Sequence, residues 1–117
     1  MASGAAWTIE YYIEQNGNCP VIDFIEGLDT RAQLRIAKAL EKLEAQGANA
    51  KYPLVSPVRG KIWELRVGYN KTIYRILYFI ATGRVIVLLH GIPKKTQELP
   101  EAAIRLAEAR MKNRIGR

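Results

Sequence analysis

The sequence is poor in the groups from which most catalytic and metal centres are built. Cys19 is the only cysteine and His90 the only histidine among 117 residues, so neither an intrachain disulfide nor a cysteine-based zinc site can form. A lone thiol agrees with a reducing compartment. No apolar run approaches the ~18 residues of a spanning helix, and Met1 to Ala6 lacks the basic-then-apolar order of a secretory signal. The expectation is a soluble, cytoplasmic protein with no membrane partner. The chain also lacks a glycine-rich phosphate loop opening a helix, a serine elbow, a cysteine–histidine nucleophile pair and any internal repeat.

Carboxylates are scarce where cations are dense. Residues 1–57 hold 5 Lys/Arg against 7 Asp/Glu, whereas residues 58–117 hold 13 against 4, so the second half carries the whole +7 excess. Its carboxylates are Glu64, Glu98, Glu101 and Glu108, the last three on or beside a helix, which is no set for a metal-dependent nuclease. No metal and no cofactor are expected. A one-sided positive field attracts phosphate backbones whatever their sequence. The cations are interleaved with strand positions and form no basic amphipathic anchor, which disfavours anionic lipid; an acidic protein is the other kind of partner.

What is present reads as a single α+β domain over residues 1–117. Trp7 to Glu14 alternates, with Trp7, Ile9, Tyr11 and Ile13 on one side, and predicts a half-buried N-terminal strand. Asn16, Gly17 and Asn18 break it. Pro20 suits the first turn of a short helix with Val21, Phe24, Ile25 and Leu28 on one face. Thr30 and Gln33 have capping-box spacing, Ile36, Leu40 and Leu43 form an apolar stripe, and Gly47 supplies a stop, so a second helix completes a two-helix hairpin laid on a sheet. Residues 48–60, with Pro53 and Pro57, show no period and read as a long connection, of the kind that often carries function.

Three apolar runs follow, Lys61 to Val67, Thr72 to Ile80 and Arg84 to Ile92, joined by short glycine-containing links. They predict a three-stranded antiparallel meander. The middle run is apolar at both parities and should be a central strand covered on both faces. Pro100 to Ile115 is an amphipathic C-terminal helix, with Ile104, Ala107, Met111 and Ile115 on one stripe.

The meander delivers Lys61, Arg66, Arg75, His90, Lys94 and Lys95 into a short span. With metal, thiol and serine chemistry set aside, metal-free phosphoryl transfer or plain anion binding is left. RNA is the convenient substrate, because its 2′-hydroxyl can attack the adjacent phosphorus; the protein must supply a base, cations around the developing charge, and an acid. His90 titrates nearest neutrality. Lys94 and Lys95 are candidates for proton transfer, and Arg66 and Arg75 for the phosphate oxygens. Lys61, Arg59, Tyr78, Arg110 and Arg114 are candidate RNA contacts, with Tyr74 or Tyr78 placed to stack on a base. Each has a structural alternative: Arg66 can pair with Glu64 or Glu10, Arg110 and Arg114 can complement a helix dipole, and the tyrosines can be core. An arginine in a central strand is different, because Arg75 must find water, a carboxylate or a ligand.

The order of elements, together with Lys61-Ile62-Trp63-Glu64-Leu65-Arg66, Tyr74-Arg75-Ile76-Leu77-Tyr78-Phe79 and Leu88-Leu89-His90-Gly91-Ile92-Pro93-Lys94-Lys95-Thr96-Gln97, resembles the phage-derived Gp49-like, HigB-like branch of the RelE/ParE toxin superfamily. The resemblance spans nearly the whole chain. It implies a RelE-like fold and a toxin of a type II toxin-antitoxin pair. Such a toxin is a metal-independent endoribonuclease that cuts mRNA on the ribosome through the 2′-hydroxyl. It also implies a helix-turn-helix, HigA-like antitoxin as partner, with oligomers formed mainly through that antitoxin. Arg66, Arg75, Lys94 and Lys95 match the family's basic positions, His90 the histidine before its glycine, and Lys61 the basic residue ahead of the Glu-Leu-Arg strand. Two positions depart from the pattern: Leu99 stands before Pro100 where a capping threonine is usual, and Pro93 replaces a basic or polar residue. The ParE branch keeps the fold while acting on DNA gyrase, so a gyrase inhibitor acting by binding, or a non-toxic basic nucleic-acid module, is the alternative.

Overall fold

Apolar residues at both parities of the middle run place it inside a sheet, and that is where it lies. The computed structural model describes residues 6–94 and 98–117. Its elements are β1 (Thr8–Tyr11), α1 (Pro20–Glu26), α2 (Thr30–Gln46), a 3₁₀ turn (Gly47–Asn49), β2 (Val55–Arg59), β3 (Ile62–Tyr69), β4 (Thr72–Ala81), β5 (Val85–Lys94) and α3 (Glu101–Ile115). The strands form one sheet in the order β1-β5-β4-β3-β2. β2 to β5 are antiparallel neighbours, and β1 joins β5 in parallel.

The sheet separates two cores. On one face α1 and α2 pack through Val21, Ile36 and Leu43 onto Leu65, Val67, Ile76, Tyr78, Ile86 and Leu88. On the other, Ala107 of α3 lies on Ile62, Leu77, Phe79, Val87 and Leu89. β4 therefore buries every residue from Arg75 to Phe79, as expected of a central strand.

α3 crosses the sheet from edge to edge. A 15-residue helix is about 22 Å long, and five strands spaced at ~4.8 Å span about 19 Å. Arg59 of β2 meets Glu101 at one end with Nη–Oε distances of 2.7 and 2.8 Å. Arg114 meets Glu10 of β1 at the other, Nη2 to Oε1 at 3.0 Å.

Three local expectations need correction. Residues 48–60 are not a plain connection, because Val55–Arg59 form β2. Pro57 reads against a strand, yet β2 is an edge strand, where a missing N–H costs no ladder bond, and its register shifts between Pro57 and Arg59. The cap of α2 is Asp29, whose Oδ1 accepts from the Ala32 N–H at 2.9 Å, so Thr30 is the first helical residue; Gln33 Nε2 donates to the Leu28 carbonyl at 2.8 Å instead of closing a capping box. Finally, β1 ends at Tyr11, and Ile13 is 49% exposed, not core. The chain turns there, with Glu14 N–H donating to the Asn18 carbonyl, and Tyr12 is buried on the α3 face, its hydroxyl 3.1 Å from Asn113 Oδ1.

Candidate functional site

In the β3–β4 register Arg66 sits directly opposite Arg75, on the α3 face. Like charges in that position repel. Glu64, two residues earlier on β3, resolves the conflict because its side chain projects from the same face. Its Oε1 lies 2.9 Å from Arg75 Nε and its Oε2 3.2 Å from Arg66 Nη1. One carboxylate thus serves two guanidiniums and leaves the trio with a net positive charge. Arg75 is 1% exposed and Glu64 6%, so Arg75 meets its need for a partner inside the protein, as a central-strand arginine must. Arg66 is the outer member, with 19% of its side chain exposed.

His90 reaches the same face by a break in register. Simple alternation along β5 groups His90 with Ile86 and Leu88, which belong to the α1–α2 core. Tyr78 pairs with Leu88, but the next residue, Leu77, pairs with His90, so β5 bulges at Leu89. The extra residue turns His90 onto the α3 face. Glu64, Leu77 and His90 then form one row across β3, β4 and β5, and Arg66, Arg75 and Ile92 the adjacent row. Two strand spacings put His90 about 10 Å from Glu64.

The half-buried His90 ring lies beside α3, with Arg110 Nη1 3.4 Å from Nδ1. Burial and then the Arg110 charge hold its pKa below the usual value, which keeps the imidazole neutral near pH 7. On the opposite face Gly91 admits Phe24 of α1: a Cβ at that position would stand 2.3 Å from the ring. The glycine after the histidine thus lets α1 seat against β5.

The other candidates separate. Arg59 is held by Glu101, with Glu108 at 3.8 Å, and Arg114 by Glu10. Arg110 Nη1 donates to the Leu89 carbonyl at 2.8 Å and its Nη2 to Glu14 at 3.2 Å. These arginines fasten α3 to the sheet. Lys61 is exposed beside a hollow lined by Phe79, Thr82 and Arg114, and five residues of strand set it ~17 Å from Arg66. Tyr78 is 2% exposed in the α1–α2 core and burial raises its pKa, so it offers no surface for a base. Tyr74 packs edge-on against Phe24 on that same side. Lys94 ends β5 in register with Ile73, while its side chain and all of Lys95 lie outside the described residues.

Tyr52 is not among the candidates that the sequence suggests, yet Arg66 lies over its ring, 5.3 Å from the centroid. The ring is 71% exposed. Its signal in the sequence is weak, an aromatic ahead of a proline in an aperiodic stretch. Among the described residues no three His, Cys, Asp or Glu side chains group as a metal site, and no helix is long and apolar enough to cross a membrane.

A search of curated proteins returns no match. The family model for the phage derived protein Gp49-like family (DUF891) matches residues 23–112. That span contains most of the helical hairpin, β2 to β5 and most of α3, and with them Glu64, Arg66, Arg75 and His90. The chain belongs to the Gp49-like family, which is the HigB/RelE-like group of toxins.

Proposed function

We propose that this protein is the toxin of a type II toxin-antitoxin pair and that it cleaves mRNA on the ribosome. The observation that supports this reading best is the β5 bulge, which brings the chain's one histidine to the face that carries Arg66, Arg75 and Glu64. Ordinary alternation puts the cation pair on this face, and the bulge brings the base to join it.

In this reading neutral His90 accepts the 2′-hydroxyl proton, and the oxygen attacks phosphorus as the bond to the 5′-oxygen breaks. The products are a 2′,3′-cyclic phosphate and a 5′-hydroxyl, the latter protonated by an acid for which Lys94 and Lys95 are the candidates. Arg66 faces the charge on the phosphoryl oxygens. Arg75 acts through Glu64, fixing the carboxylate that aims Arg66, and is a positioning residue. A helix-turn-helix antitoxin is the proposed neutralising partner.

Primer extension on message from induced cells tests this. Cuts inside translated codons with cyclic-phosphate ends are expected, reduced about 10²–10⁴-fold by His90→Ala and strongly by Arg66→Ala. Intact message together with blocked DNA supercoiling would overturn it in favour of gyrase binding.

A further inference from the structure

The first half of the chain is net negative, which hides the arrangement of its cations. All five of its Lys/Arg residues line two neighbouring grooves along one flank of α2. Arg31, Arg35 and Lys38 line the first, a hollow of about 300 Å³ with Tyr69 as its aromatic wall. Lys42 and Lys51 line the second, of about 590 Å³, with Tyr52, Gln46 and Arg66. Gly68 and Tyr69, consecutive on β3, join the two.

The alignment follows from helix geometry. At 100° per residue, positions 31, 35, 38 and 42 fall within an arc of about 60° and rise by about 16 Å along the axis. Ala32, Ile36, Ala39 and Leu43 are the buried side of α2, so the cations occupy a flank beside the packed face. Neither groove has an acidic residue in its lining. Part of the track is preorganised, since Arg35 donates to the Gly68 carbonyl at 3.3 Å and lies 5.6 Å from the Tyr69 ring centroid.

We infer that this flank is a track for the phosphodiester backbone of single-stranded RNA. It enters along Arg31, Lys38 and Lys42, stacks a base on Tyr52 and leads to Arg66. A line of cations leading past an exposed aromatic ring, Tyr52, suits single-stranded nucleic acid, whose bases have faces to stack. An acidic polypeptide would satisfy the cations but leave Tyr52 unused. Arg66 is the shared element, with Glu64 on one side and Tyr52 on the other. The inference rests on the RNA-cleaving reading for the identity of the polyanion, but apart from Arg66 it concerns residues which that reading does not use.

The test is anisotropy of a labelled oligouridine with the purified full chain across a salt series. Replacing Arg31, Lys38, Lys42 and Lys51 by Gln should weaken binding and lower the log–log salt slope by about 0.7 per contact, roughly 3 in all. A control carrying the same charge change at Lys71, Arg84, Arg105 and Lys112 should retain most of the slope. Tyr52→Ala should weaken binding about fivefold or more. Equal slopes for the two quadruple variants would overturn the track, as would tighter binding of polyglutamate than of oligouridine. If the wild type still cuts message in that case, only the track falls. If the wild type binds through the track but never cuts, only the cleavage reading falls.

Discussion

Arg75 and Glu64 form an ion pair inside the sheet, Nε to Oε1 at 2.9 Å, with neither side chain more than 8% exposed. Removing one partner leaves the other charged and buried. Glu64→Gln is expected to cost about 3–5 kcal/mol, read as a lower urea midpoint. Replacing both by apolar residues, Glu64→Met with Arg75→Leu, should restore most of that stability without restoring activity. If Glu64→Gln alone left the midpoint unchanged, the pair would not be a structural contact in solution.

Burial and the Arg110 charge lower the pKa of His90. The neutral, base-competent imidazole is therefore present across neutral pH, and cleavage should be flat there and fall as acid protonates the ring below its ordinary value near 6.5. The folded state binds this proton less readily than the unfolded one, so stability also falls as pH drops through that window. Arg110→Gln should move the imidazole pKa upward, measured by the ring C–H shifts in NMR. A pKa unmoved in that variant would remove Arg110 as a cause.

Gly91 lies against Phe24 too closely for any side chain, since a Cβ there would come within 2.3 Å of the ring. Gly91→Ala should destabilise by about 1–3 kcal/mol through overpacking. Shortening the neighbour, Phe24→Leu, should recover part of the loss in the double variant. Additive losses, obtained from a denaturation cycle, would show that the two do not meet.

Arg59 and then Arg105 hold the Glu101 carboxyl down to about 2. Because the folded-state value is depressed, the clamp contributes above the ordinary value near 4.5 and is lost as pH falls toward 2. Arg114 lowers Glu10 in the same sense at the far end of α3. Amide exchange in α3 should accelerate in that acid window before exchange in β4 does. Simultaneous loss of protection in both would mean that α3 is not held separately.

The element order is legible in the sequence because periodicity changes cleanly from two to helical and back. The central position of β4 follows from its double-sided apolarity, and the demand of Arg75 for a partner from its charge. What escapes a linear reading depends on contacts across the chain. Pro57 obscures β2, because its tolerance rests on β2 being at the edge. Alternation assigns His90 to the wrong face, since it carries no mark of a bulge. Arg59, Arg110 and Arg114 read as RNA contacts, and only the path of α3 shows the carboxylates they meet. The α2 flank is lost in a sum of charges over half the chain, although 31, 35, 38 and 42 is a helical series.

The bulge at Leu89 uncouples the length of β5 from the placement of His90. Deleting Leu89 would restore plain alternation from Leu88 to His90, and the imidazole would keep its pairing with Leu77 and its place on the α3 face. What the deletion would remove is a fully buried leucine from the core under α3. The damaging change is the opposite one: with Leu89 drawn into a regular ladder, every residue from His90 onward would exchange faces and the imidazole would be driven under α1. Leu89 is therefore a residue that the pairing skips, held in place by what it packs against.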